Sequence, residues 1–591
     1  MSALSESIAE LGTNPRQWEA FSTEGNCVVL APPGSGKTKL LTTRMAHDLL
    51  TKVPLPHGAA CITLTNAAAD ELRRRVDRLG VPPRSTLFVG TVHAFALRQV
   101  LIPFATLLGL PQYAIPEFIT ASQKDQIIDA AIHQVFGRRA DIRFARSTVA
   151  VNRQRLATPE QWGRAGPEIT EVARRYEDEL EQRGLIDFQK LVRLAVEFVE
   201  SHASVRKVLA ARYPRLYVDE YQDLAPGLDR LVKAMCFNYR TDTELFAVGD
   251  PDQAILAFTG TRPELLEELA RHAMVSSVRL ETNYRCHPEI MAVANRLWPR
   301  RGLARSTAAQ TCVTATVCPS GFSAQCARAL AVALRAAASG TPLHEIAVIC
   351  PGNYQCRQAA ETLRKGGMPA IVRDEGYRHT AITSLAEASA AWAVLGRERS
   401  GYRLGDLIAR HRAALGASWT RARDAAFTDL LLRHAGATEK RAARFLHELL
   451  DIGISQALHR PALADEIPEV TAMITAYATG AFRDATVLHL ADRARKTERV
   501  EVTTMASSKG LEFDTVIILG ADEGQVPFFS SLNNPEQMAE DRRKMYVSIT
   551  RARNEVEITC SGFVQWESGK QSQAGPSRFL TELGLLPRPG H

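Results

Sequence analysis

The sequence predicts an α/β fold in which parallel sheets are flanked by helices and interrupted by mostly helical insertions. Three observations predict it. A short apolar run, Cys27-Val-Val-Leu30, enters a glycine-rich loop and then a helical pattern from Leu40 to Leu49, the order that opens a doubly wound sheet. The same strand-then-helix alternation returns at Ala59–Thr65, Leu87–Phe95, Leu216–Asp223 and Leu245–Gln253. Finally, 591 residues exceed a single core at roughly 100–200 residues per domain.

Composition bounds the class. Hydrophobic content of 45% and charged content of 23% are those of an ordinary globular chain. A net charge of +7 suits a polyanion and equally a solvated surface. No apolar run reaches the ~18 residues of a membrane span, so no membrane partner is expected. Met1-Ser-Ala-Leu-Ser-Glu-Ser7 lacks the basic and apolar regions of a signal peptide. Ten cysteines without a Cys-x-x-Cys pair argue against a zinc ribbon. They read as free thiols, and the expected compartment is cytoplasmic.

Gln17 precedes the first strand. Its amide can read the N6 amine and N7 of adenine; alone, it reads as a surface residue. The loop Ala31-Pro-Pro-Gly-Ser-Gly-Lys-Thr38 stands between strand and helix, where a phosphate-binding loop belongs. Gly34 and Gly36 let the backbone turn its N–H groups inward, with Pro33 and Ser35 completing the loop, and the helix N-terminus adds a favourable dipole. Lys37 reaches the β- and γ-phosphates and the Thr38 hydroxyl binds Mg²⁺. The loop points to an NTPase and leaves open what hydrolysis drives.

The strand at Ala59–Thr65 leads into a helix from Ala67 to Leu79, with Asn66 as N-cap. Leu87–Phe95 repeats the pattern. Thr65, Asn66, Thr91 and His93 fall beyond the carboxyl ends of strands, where a second ligand can pass; read singly, they are caps or loop residues. Residues 97–204 are helical in pattern and basic, with Arg138, Arg139, Arg143, Arg146, Arg153 and Arg155 close together. Such a length is an inserted subdomain rather than a connection. Its arginines suit a solvated helical face and a phosphate-contacting face equally. At the end of the next strand, Asp219 is placed to hold Mg²⁺ through water and Glu220 to act as general base. Gln253, after Leu245–Gly249, is placed to sense the γ-phosphate.

Taken in order, Gln17, Gly-Ser-Gly-Lys-Thr38, Thr63-Leu-Thr-Asn66, Gly90-Thr-Val-His93, Asp219-Glu-Tyr-Gln-Asp223 and Gly249-Asp-Pro-Asp-Gln253 resemble the first half of the UvrD/Rep/PcrA family of superfamily 1A helicases. Leu280-Glu-Thr-Asn-Tyr-Arg285, Thr504–Phe513, Glu540–Ala552 and Gly575–Leu580 continue the family order. The resemblance implies two RecA-like P-loop NTPase domains with ATP in the cleft between them, and two mostly helical inserted subdomains. Residues 1–92 and 205–281 would form the first RecA-like domain around an insertion at 93–204. Residues 282–382 and 498–591 would form the second around a reduced insertion at 383–497.

The same resemblance implies 3′→5′ travel on single-stranded or 3′-tailed DNA, fuelled by ATP and Mg²⁺. Tyr284 would stack on adenine, Arg285 and Arg551 would reach the γ-phosphate, and Glu512 would contact the ribose or support the nucleotide site. Arg44 would flank the base. Thr65, Asn66, Thr91, His93, Phe258 and Ser507 would face DNA.

Departures fall on the DNA-facing positions. Leu64 and Ala67 stand where the family has an aromatic and a lysine; Leu256, Phe258 and Thr259 replace tyrosine, tryptophan and arginine; Ala506 replaces histidine. The 383–497 region lacks the duplex-contacting Gly-Ile-Gly stretch and suits a protein partner. Neither a nuclease pattern nor iron–sulfur cysteines are found. A monomer or weak oligomer is expected. The rival reading is a DNA-stimulated ATPase subunit, for example of a Gabija-type anti-phage system, that does not unwind alone.

Overall fold

The computed structural model describes residues 2–585 except 120, 138–140, 238–242, 256–260, 299–311, 374, 459, 461–462, 464–465, 495–498 and 567–569. The chain divides into two compact units, Met1–Thr282 with Gln456–Pro468, and Asn283–Ser455 with Glu469–His591.

The first unit is built on a six-stranded parallel sheet. Its strands are β1 (Cys27–Leu30), β2 (Ala59–Thr63), β3 (Leu87–Thr91), β4 (Arg215–Val218), β5 (Glu244–Gly249) and β6 (Ser276–Arg279). Their order is β3-β2-β4-β5-β1-β6. Alternate side chains divide between two cores, as the pleat requires. Val28, Ala60, Ile62, Leu216 and Val218 face Phe95, Val100, Leu194, Phe198 and Leu231. Val29, Ala59, Cys61, Tyr217 and Phe246 face Leu40, Leu41, Met45 and Leu72. Both faces are therefore covered, which is why these strands read as continuous apolar runs.

Between β3 and β4 the chain forms helices Ala121–Phe136, Ile142–Gln154, Pro167–Gln182 and Phe188–Ser201, among others. Ile128, Ile132, Val149, Val172 and Leu180 give this region its own apolar cluster. Two arginines of the basic block are held within it. Arg153, 7% exposed, pairs with Asp187 at 2.6 Å and with Glu177, and Arg146 pairs with Asp125 at 3.1 Å and with Asp129. For Arg153, internal pairing replaces both surface readings; Arg146 stays partly exposed, a paired residue on a solvated face. Arg138 and Arg139 lie outside the described residues.

A second six-stranded parallel sheet organises the other unit. Its strands are β7 (Val313–Val317), β8 (Ile346–Cys350), β9 (Ala370–Val372), β10 (Val500–Thr504), β11 (Phe513–Ile518) and β12 (Ala552–Cys560), in the order β9-β10-β8-β11-β12-β7. Helices Phe322–Ala338, Asn353–Lys365 and Pro535–Ile549 pack on it. Between β9 and β10 the chain is helical, with Ala381–Ser400, Leu404–Leu415, Arg421–Arg433, Ala442–Leu449 and Val487–Ala494. A buried pair ties the first and last of these: Arg493 Nε donates to Glu387 Oε1 at 3.1 Å.

One boundary moves. β2 ends at Thr63 and the next helix starts at Asn66. The cap is Thr65, whose hydroxyl accepts from the Ala68 N–H at 3.1 Å, rather than Asn66. A threonine one residue earlier does the same chemistry. No helix among the described residues is long and apolar enough to cross a membrane.

Candidate active site

β1 delivers the chain to the glycine loop, and the Ala31 N–H, donating to the Gly249 carbonyl at 2.9 Å, ties the loop's entrance to the end of β5. Gly34 and Gly36 have φ of 69° and 84°, the left-handed region a side chain resists. At Gly36 a Cβ would also come within 2.8 Å of Gln17 Nε2. Gln17 is 6% exposed, and its amide donates to the Ser35 carbonyl at 2.8 Å. It therefore braces the loop and is not a surface residue. The Ser35 hydroxyl donates to the Pro32 carbonyl at 2.7 Å, and Pro33 is buried beside it. Helix Lys37–Thr51 begins on the loop, and among the described residues no side chain caps its first turn. Its free N–H groups and dipole make an anion cradle. Thr38 sits half-buried on that turn.

The carboxylates arrive from β4. Asp219 is 5% exposed, and its N–H donates to the Ile62 carbonyl at 2.9 Å. Burial, followed by the neighbouring Glu220 charge, raises its carboxyl to about 7. Glu220 sits at φ 52° and ψ 49°, a left-handed conformation that is uncommon for a residue other than glycine and concentrates at functional sites. The turn sets its carboxylate 3.8 Å from Lys37 Nζ.

Beyond Glu220 a chain of hydrogen bonds continues into the next strand end. Gln222 is fully buried; its amide donates to Glu220 Oε2, while its carbonyl oxygen accepts from the Asp250 N–H at 3.0 Å. Asp250 Oδ2 accepts from Gln253 Nε2 at 2.7 Å. A Cβ at Gly249 would stand 2.6 Å from Gln222 Oε1, so this crossing requires glycine. Glu220 and Gln253 are thus joined through Gln222 and Asp250. Gln222 and Asp250 are the members that sequence reasoning passed over. Their signal was the buried-type spacing inside the two strand-end motifs, which becomes legible only once β4 and β5 are known to be neighbours.

Arg44 requires a correction. It is 3% exposed, bonds Asp48 through Nε at 3.1 Å, donates to the Phe21 carbonyl and lies against the Phe21 and Phe246 rings. An arginine seven residues into the helix has turned inward to a buried carboxylate, which Tyr217 also donates to at 2.6 Å. Buried in these contacts, it is not placed to flank a base.

Of the residues expected to face DNA, Thr65 and Thr91 cap helices, Thr91 accepting from the Ala94 N–H at 3.1 Å. His93 stands half-buried, edge-on to Phe188 with ring centres 5.2 Å apart. Leu64 packs on the core. Asn66 opens its helix. Phe258, with Leu256 and Thr259, lies outside the described residues.

In the second unit, Asn283 Oδ1 accepts from the N–H groups of Arg285 at 2.9 Å and Cys286 at 2.8 Å. This turn leaves Tyr284 59% exposed and aims Arg285 at Glu512, with which it forms an ion pair. Arg553 joins them at 3.6 Å from Glu512 and also meets Asp514 and Glu345, at 3.1 and 2.6 Å. Arg551 is 1% exposed. Its guanidinium donates to the carbonyls of Val547 at 3.0 Å and Leu511 at 3.2 Å. Ser507 is half-buried after β10, its N–H donating to the Thr504 hydroxyl at 3.1 Å.

Comparison with known proteins places these motifs. Residues 13–274 match the UvrD/REP helicase N-terminal domain, and residues 473–562 match the UvrD-like helicase C-terminal domain. Among curated relatives, ATP-dependent DNA helicase UvrD2 of Mycobacterium tuberculosis is 28% identical, over 98% of this chain and 82% of its own length. ATP-dependent DNA helicase UvrD1 of the same organism is 25% identical, over 97% and 85%. ATP-dependent DNA helicase PcrA of Leuconostoc citreum is 24% identical, also over 97% and 85%.

Proposed function

The chain is a UvrD/Rep/PcrA-like helicase that couples ATP hydrolysis to DNA unwinding, and we propose that it tracks 3′→5′ along single-stranded DNA from a 3′-tailed end. The observation that carries its motor chemistry is the cradle: an uncapped helix start, Lys37 and Glu220 within 3.8 Å, and a relay from Glu220 to Gln253.

Thr38 and Asp219 suit a magnesium ion. Both offer hard oxygen ligands, and Asp219 is a buried carboxyl raised to about 7 by its surroundings, a cost that a bound cation removes. When bound, the ion neutralises charge on the β- and γ-phosphate oxygens. Lys37, at rest on Glu220, turns to the phosphates when nucleotide enters. Glu220 is then released to take a proton from the attacking water. Gln253 reads the γ-phosphate and passes its presence to Glu220 through Asp250 and Gln222. Gln17 selects adenine while bracing Ser35, and Tyr284 stacks on the base. Arg285 and Arg551 act on the γ-phosphate, Glu512 holding Arg285 until then.

We read residues 93–204 and 383–497 as the inserted subdomains, the latter binding a protein partner. Thr65, Asn66, Thr91, His93, Phe258 and Ser507 follow the DNA strand, in repair, replication restart or defence. Leu64 favours a second reading: turned to the core, it offers no stacking platform where one is worth ~1–3 kcal/mol per base. On that reading the chain is a DNA-stimulated ATPase that unwinds only with its partner. Strand displacement by the purified chain on 3′- and 5′-tailed duplexes separates the two. Unwinding from the 3′ tail alone supports the first. Unwinding from the 5′ tail contradicts it, and ATP turnover without unwinding of either favours the second.

A further inference from the structure

We propose that His287, Glu289 and Cys312 form a zinc site in the second unit, immediately after the Tyr284-Arg285 turn. One ligand atom from each of the three lies within 4.8 Å of the other two. Cys312 Sγ and His287 Nδ1 are 3.5 Å apart. Zinc bonds of about 2.3 Å to sulfur and about 2.0–2.1 Å to nitrogen, set at a tetrahedral angle, separate the two atoms by about 3.6 Å. The pair is therefore spaced for one ion without rearrangement. Glu289 supplies the third ligand, and the fourth position is left for water.

Donor chemistry selects the metal. A thiolate and an imidazole favour zinc over magnesium or calcium. Thiolate and carboxylate together carry two negative charges, which a divalent ion cancels, so the complex is neutral at a site where Glu289 is 9% exposed. Binding sends the Cys312 thiol proton to solvent. It also takes the single Nδ1 lone pair of His287 from the Glu289 N–H, a bond of 3.3 Å. The carboxylate is held by the Cys312 N–H at 3.4 Å to each oxygen. These contacts are long and weak. Cys286, though adjacent in sequence, is not a ligand, because its Sγ donates to the Thr550 carbonyl at 3.5 Å.

The ion would fasten two distant stretches. Cys312 precedes β7, while the His287 N–H donates to the Arg553 carbonyl at 2.7 Å. Arg553 in turn reaches Glu512, the partner of Arg285. Zinc there stiffens the segment that carries Tyr284 and Arg285, acting as a positioning clip.

Zinc content and cobalt spectra of the full chain test the site. After stripping with chelator, loading with zinc and dialysis, the wild type should retain one equivalent. Cys312→Ser and His287→Ala should retain close to none. Cobalt should give a sulfur-to-metal band in the near ultraviolet that Cys312→Ser abolishes. Zinc should raise the melting temperature of the wild type and leave that of Cys312→Ser unchanged, the metal-free forms melting together. Failure of the wild type to hold zinc, or retention of zinc and the cobalt band by Cys312→Ser, overturns the proposal. Such results would leave only a thiol–imidazole hydrogen bond. Should Cys312→Ser not fold, His287→Ala and the wild-type cobalt band decide.

Discussion

In the first unit the groups proposed to meet the nucleotide already hold one another. Gln17 braces Ser35, Lys37 rests on Glu220, and Gln222 and Asp250 join Glu220 to Gln253. In the second unit the two arginines are committed elsewhere: Arg285 to Glu512, and Arg551 to the carbonyls of Val547 and Leu511. On the proposed roles, the first unit holds its loop and carboxylates in one connected set, whereas Arg285 and Arg551 must leave partners outside that set. On that proposal, ATP binding needs only the turn of Lys37 away from Glu220, and hydrolysis waits on the two arginines. A motor needs this separation, because a site complete at rest would consume ATP without DNA.

The sharpest way to break the contrast is Arg551→Ala. Cations of this kind contribute about 10³–10⁵ in kcat, and a loss in that range is expected, with affinity for a fluorescent ATP analogue nearly unchanged. An equal loss in affinity would mean that Arg551 belongs to the resting cradle. Next comes Glu220→Gln, which keeps the shape of the side chain and removes the negative charge 3.8 Å from Lys37. Removal of a general base costs about 10²–10⁴ in rate, and this variant should retain ATP and still bind DNA. Normal turnover would transfer the base role to another group.

Gln222→Ala sharpens the comparison inside the first unit. A hydrogen bond to a charged group is worth about 1.5–3 kcal/mol, so kcat should fall roughly ten- to a hundredfold while KM moves little. A change confined to KM would deny the relay. The last effect is on stability rather than rate and concerns Asp219. Its carboxyl titrates near 3.8 when free and at about 7 in the fold. The folded chain therefore binds the proton more tightly between those values and loses stability as pH rises through them. Asp219→Asn should melt above the nucleotide-free wild type near about pH 8 and level with it near about pH 4. Melting curves that run parallel at both would show that burial of Asp219 carries no such cost.

Much of the fold was legible because its strands are covered on both faces. Val28, Val29, Ala60 and Cys61 all had to be apolar, and each run ended in a glycine or polar turn. Phosphate-loop residues were legible for a related reason, since Gly36 and Lys37 are fixed by backbone conformation and by reach. Arg44 was misread because a family resemblance does not say which buried acid lies within reach of a side chain; Asp48 and Tyr217 decided that. The cap moved from Asn66 to Thr65 because either residue can accept the same N–H. Two features could not be read locally: the bond from Gln222 to Asp250, whose motif spacing speaks only once the strands are known to be adjacent, and the burial of Arg551.

The most direct test of a ready cradle and withheld cations is steady-state ATP turnover by the full chain, with and without a poly-dT strand, with Lys37→Ala as control. We predict slow turnover alone, strong stimulation by DNA, and no turnover by Lys37→Ala under either condition while DNA binding persists. Turnover that is equally fast without DNA would contradict the account, because Arg285 and Arg551 would then already be in service at rest.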